Sequence, residues 1–181
     1  MKKYRELAFD IEATNLKGDV GWLLCASFKE PGKKPFTLRL DDYPDHKKRL
    51  WDDSYLVDDI VKVLSETTRV YGHYSSGYDL KFVRTRRVLN GTEVSRPFLH
   101  ADLYTMRTNF LLHNNRLGTY GNFVAENLKT PLSPTVWAKA MGGDKISLNY
   151  IVDHCEKDVE VTEAVYLALE PYIKVWKQEC I

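Results

Sequence analysis

The first third of the chain shows the two-residue rhythm of β-strands. Residues 7–13 alternate weakly, residues 22–28 are apolar and aromatic, and residues 36–40 alternate cleanly. The segments between them, NLKGDVG and KEPGKK, hold Gly, Asn and Pro where turns need them. Three strands on short turns predict an antiparallel meander. The rhythm then changes. In WDDSYLVDDIVKVL (51–64), Leu56, Ile60, Val63 and Leu64 share one helical face. Residues 69–74 are β-prone. Residues 78–89 read as a helix stopped by Asn90-Gly91, and residues 97–103 as another short strand. A long helical stretch covers 147–178, with Pro171 marking a break. Antiparallel strands, then strand–helix–strand–helix, then helices predict an α/β fold, a mixed sheet flanked by helices. Crossover-linked parallel strands carry functional groups near their ends.

Composition narrows this reading little. The 181 residues, 44% hydrophobic and 28% charged, fit one globular domain over 1–181 and exclude collagen-like, coiled-coil and disordered chains. No apolar run is long enough for a transmembrane helix. The start, MKKYRELAFDIEA, lacks the apolar core of a secretory signal. Cys25, Cys155 and Cys180 are odd in number and widely spaced, which suggests free thiols in a reducing, cytoplasmic setting. A net charge of +1 means that any nucleic-acid face must be local.

The acids carry more information. Asp10 and Glu12 lie two apart on a strand, so both side chains share a face. Either they are solvated on an edge strand or a cation holds them together; oxygen ligands suit magnesium or manganese. Asp79 closes GHYSSGYDL at a strand–helix junction, where an acid also complements the helix dipole. Asp158 follows His154 by four residues on the last long helix, on a face continued by Val161, Thr162 and Val165. Polar groups on an apolar stripe need a partner: each other, or something bound. Four carboxylates brought to one place would form an all-oxygen two-metal site.

These blocks, FDIEATNL (9–16), GHYSSGYDLKFVRTR (72–86) and HCEKDVEVT (154–162), resemble the DEDD superfamily of 3′–5′ exonucleases, which share an RNase H-like fold. Residues 100–128 are similar to the helical region between that family's second and third motifs, with Asp102 there read as a helix N-cap. The resemblance implies two magnesium or manganese ions. Asp10, Glu12 and Asp158 would hold one, and Asp10 with Asp79 the other. It implies cleavage of single-stranded DNA or RNA from the 3′ end to 5′-mononucleotides, alone or beside a polymerase or repair complex in trans. Thr14 and Leu16 match positions that contact the terminal nucleotide, although Leu16 also reads as a core residue. The third motif departs from the family. His154 stands where one subclass has tyrosine, and an imidazole accepts a proton near neutral pH. The second motif has Tyr74 where many relatives have Asn.

Tyr78, beside Asp79, is the first candidate for base stacking among Trp22, Tyr74, Tyr78, Tyr104 and Tyr120. Lys81, Arg84, Arg86 and Arg87 form either a phosphate track or an ordinary solvated helix face. Two readings compete with the exonuclease: an inactive binding module of the same fold, and an RNase H-like endonuclease.

Overall fold

The computed structural model describes residues 4–124 and 131–181. Residues 125–128 of the region between the second and third motifs therefore lie outside the described residues. Six strands form one mixed sheet in the order β3-β2-β1-β4-β5-β6. Strands β1 (Glu6–Ala13), β2 (Leu23–Lys29) and β3 (Phe36–Arg39) make the expected antiparallel meander. Strands β4 (Arg69–Gly72) and β5 (Phe98–Asp102) run parallel to β1. Strand β6 (Lys177–Glu179) returns antiparallel along β5.

The first-made strand is thus central. Leu7, Ala8 and Phe9 are all buried, so both faces of β1 are covered. Leu7, Phe9 and Ile11 cluster with Leu56, Val57, Ile60 and Leu64 of α1 (Ser54–Ser65). Ala8 clusters with Val159, Val161 and Val165 of α5 (Lys145–Leu169). Helix α2 (Asp79–Asn90) follows β4 and ends as expected at Gly91, whose φ of 72° suits a residue without a side chain. Helices α3 (Leu117–Val124) and α4 (Pro134–Met141) pack on α5. Asp144 caps α5 by accepting from the Ser147 amide at 2.8 Å.

One expected element is corrected. The last helix does not reach Gln178; it ends at Leu169, and Pro171 lies in a short 3-10 turn before β6. Proline cannot donate into the helical ladder, and the Lys-Gln-Glu strand has no apolar alternation to announce it. Among the described residues no helix is long and apolar enough to cross a membrane.

Candidate active site

The site is built at the end of β1. Asp10 and Glu12 alternate with buried Phe9, Ile11 and Ala13, so the strand's own pleat puts both carboxylates on one face. Asp10 pairs with Ser27 and Glu12 with Cys25, and the register then shifts between Glu12 and Ala13. Such an irregularity re-aims side chains where a strand leaves its sheet.

Helix α2 brings the third acid. Asp79 is its first residue, and its Oδ1 accepts from the Ile11 amide at 3.1 Å. The head of the helix is thereby fastened to β1 between Asp10 and Glu12. Helix α5 brings the rest. His154 Nε2 stands 3.8 Å from Glu12 Oε1 and 3.8 Å from Asp158 Oδ2. All five groups singled out in the sequence are gathered by three elements.

Their electrostatics record the crowding. Burial pushes the Asp10 carboxyl well above the ordinary carboxylate range, and the charges of Asp79, Asp158 and Glu12 push it further. Burial likewise lifts Asp79 to about 7 against the hydrogen bonds that favour its charged form; Asp102 and Asp158 add to the rise. Neither Asp10 nor Asp79 has a lysine or arginine partner among the described residues. Among the described residues no three or more His, Cys, Asp or Glu side chains form a ready-made metal cage. The donor set still fits a hard divalent cation, because four carboxylate groups supply oxygen ligands and negative charge that a cation would relieve.

Cys155 is a neighbour that the sequence did not reveal. Its Sγ lies 3.4 Å from Asp10 Oδ2 and 3.6 Å from the Asp10 carbonyl oxygen. Burial pushes its thiol up, so it stays a neutral donor. In the sequence it reads only as one of three widely spaced free thiols.

The four candidate substrate residues fall in different places. Leu16 is 79% exposed at the tip of the β1–β2 loop, not in the core. Thr14 clamps that loop: its Oγ1 accepts from the Trp22 amide at 3.0 Å, and its own amide donates to the Trp22 carbonyl at 3.0 Å. Tyr78 is half-buried against Phe82, and its hydroxyl donates to the Asn15 carbonyl at 3.1 Å, holding the other side of the loop. Arg84 donates to the Cys180 carbonyl at 2.8 Å and to Glu179 at 2.5 Å, so its guanidinium fastens β6. Arg86 is engaged by buried Asp53, and Arg87 donates to the Thr92 carbonyl at 2.9 Å. The α2 cations are therefore neither a free phosphate track nor a plain solvated face; of the four, Lys81 is the exposed one.

Asp102 also does more than cap. Its Oδ1 accepts from the Tyr104 amide at 3.0 Å, as an N-cap would. The same oxygen accepts from the Tyr74 amide at 2.8 Å, and Oδ2 accepts from the Ser76 amide at 3.0 Å and from the Ser76 hydroxyl. One buried acid thus shapes the loop between β4 and α2.

A family model, RNase_H_2 of the RNase H superfamily, matches residues 7–170. The chain belongs to the RNase H superfamily. Among solved structures, this RNase H-superfamily chain is similar to the family B DNA polymerase from the hyperthermophilic archaeon Pyrobaculum calidifontis, at 18% identity and a TM-score of 0.71. The match covers 93% of this chain and 25% of that one, so the chain spans about a quarter of the polymerase. At that identity the likeness establishes the shared fold, with its mixed sheet flanked by helices. No curated protein matches the chain.

Proposed function

We propose that this RNase H-superfamily chain is a divalent-metal-dependent 3′–5′ exonuclease of single-stranded DNA or RNA. The observation that carries the reading is the gathering of Asp10, Glu12, Asp79 and Asp158 beside His154 at the end of the central strand. Family membership supports a nuclease-like function. The likeness to part of a DNA polymerase is compatible with work beside a polymerase in trans.

In this reading the four acids hold two magnesium or manganese ions. Bound there, the ions would acidify water and neutralise charge on the phosphodiester. The chain's own residues do the remainder. On this reading His154, 3.8 Å from both Glu12 and Asp158, accepts a proton at Nε2 from the attacking water. The Asp79 tie to the Ile11 amide fixes the spacing between α2 and β1. Leu16, exposed on a loop clamped from both sides, is a wedge for the terminal base. An unpaired 3′ end suits such a site, because a stacked and paired end has no free base to offer.

The test is a digest of 5′-labelled single-stranded DNA and RNA with manganese, beside an EDTA control and the Asp10→Asn protein. A ladder shortening from the 3′ end, absent in both controls, is expected, and it reports the preferred sugar. Internal cuts would replace the reading with an endonuclease. Binding without cleavage would replace it with an inactive module.

A further inference from the structure

The loop between β4 and α2 contains a backbone that its sequence should avoid. Tyr74 has φ of 63°, in the left-handed region, where a bulky residue is an outlier and Asn or Gly would sit at ease. The loop depends on this conformation: the Tyr74 amide donates to buried Asp102, and its carbonyl accepts from the Gly77 and Tyr78 amides at 2.9 and 3.0 Å. A second feature concerns the ring. A Cβ added to Gly77 would lie 2.6 Å from two carbons of the Tyr74 ring, so the ring rests directly on the Gly77 backbone. Tyr104 meets it in a T-shaped contact, 5.0 Å between centroids with planes 72° apart. The ring is thus fixed on two sides, yet Tyr74 remains 51% exposed.

Packing does not account for this. Three of the other aromatic candidates are anchored inward: Trp22 packs on the core, Tyr78 lies against Phe82, and Tyr120 is buried. Tyr74 leaves half its surface open, adopts a strained backbone and requires a glycine beneath it. Strain kept at a loop next to a site, with no packing return, marks a functional residue. Its place in the fold says which function. Asp79 lies five residues on in the same loop-to-helix segment, and Tyr104 follows β5, the strand beside β4. The aromatic pair therefore stands at the same end of the sheet as the carboxylates, one and two strands over from β1.

We propose that Tyr74, braced by Gly77 and Tyr104, is a stacking platform for a nucleobase of the strand entering the carboxylate site. The proposal rests on the nuclease reading above and deepens it. A rigid exposed ring suits an unpaired base, since every base has a π-face and a pre-ordered partner loses little freedom on contact.

The test measures affinity, so it does not depend on turnover. Binding of fluorescent single-stranded oligonucleotides is followed by anisotropy in calcium, for the wild-type chain and for Tyr74→Phe and Tyr74→Gly. The glycine variant removes the ring and also relieves the positive φ, so its Tm is expected to hold or rise while its affinity falls about tenfold. Tyr74→Phe is expected to bind as the wild type does. A scan of single abasic positions from the 3′ end should find one that weakens the wild type about tenfold and leaves Tyr74→Gly indifferent. Equal affinity of wild type and Tyr74→Gly, or an abasic penalty of the same size in both, would overturn the platform. If the wild type trims oligonucleotides with manganese in that case, the nuclease reading stands without it; if it neither binds nor trims them, both fall.

Discussion

Two buried acidic sites, at Asp53 and at Asp10 with Asp79, are built on opposite rules. Asp53 is fully buried at the head of α1, and every lone pair it offers is used. It accepts from the Leu23 amide at 2.9 Å, from Arg86 Nε at 2.9 Å and a guanidinium terminal nitrogen at 2.8 Å, and from Asn90 at 2.7 Å. Arg86 also donates to the Gly18 carbonyl at 3.2 Å, so the pair binds β2, α2 and the loop into one piece. At Asp10 and Asp79 the neighbours are other acids, a thiol and backbone amides. A carboxylate buried for the sake of the fold comes with its countercharge. One buried among its own kind carries a cost that the fold alone does not offset. On the proposed reading, the difference separates a structural acid from one that would hold a metal.

Substitutions can break that contrast. The largest effect belongs to Asp10→Asn: cleavage with manganese should fall at least about a thousandfold, while Tm in EDTA holds or rises, because a mutually repelling charge is gone. A fall in Tm comparable to that of an Asp53 variant would make Asp10 a structural acid too. Next comes Arg86→Met, which leaves Asp53 buried without its cation. It should cost about 3–5 kcal/mol in chemical denaturation and lower Tm by about 10 °C. His154→Gln should slow cleavage about a hundredfold and remove the lower limb of the pH–rate profile, with His154→Tyr recovering part of the rate. An unaltered profile would assign the proton transfer elsewhere.

The smallest effect is in pH. Asp79 binds its proton up to about pH 7 in the folded chain but only near 3.8 when unfolded. Across that window the folded state holds more protons, so this group makes stability fall as pH rises. Buried His100 acts from the other side. Burial holds it at about 4, below its ordinary 6.5, so its contribution is lost as pH falls through that range. In EDTA, wild type should therefore gain Tm relative to Asp79→Asn between pH 7 and pH 5, and manganese should reverse the trend at pH 7. Parallel curves for the two proteins would refute the assignment.

Much of this contrast was legible in the chain. Asp10 and Glu12 stand out because strand period and acid spacing coincide, and His154 with Asp158 because helical period does the same. The antiparallel meander and the mixed, helix-flanked sheet followed from the strand runs and the strand–helix alternation. Long-range partners were hidden. Nothing near Arg86 announces Asp53, 33 residues away, so its guanidinium reads as part of a basic helix face when it is turned inward to a buried acid. Cys155 was hidden for the same reason, since its partner is 145 residues away. Strand β6 was missed because three polar residues on a sheet edge carry no periodic signal.

That last separation bears on kinetics. Asp10 belongs to one of the first strands, yet the thiol and the histidine that complete its surroundings come from a helix that starts at Lys145. Loop closure over such a distance is slow, and the site is not whole until the sheet has formed and α5 has docked. A cation that needs all three elements has nothing to bind in the folding transition state if docking comes last. It would then act on the way out: manganese should slow unfolding in proportion to the stability it adds and leave the folding rate where it was.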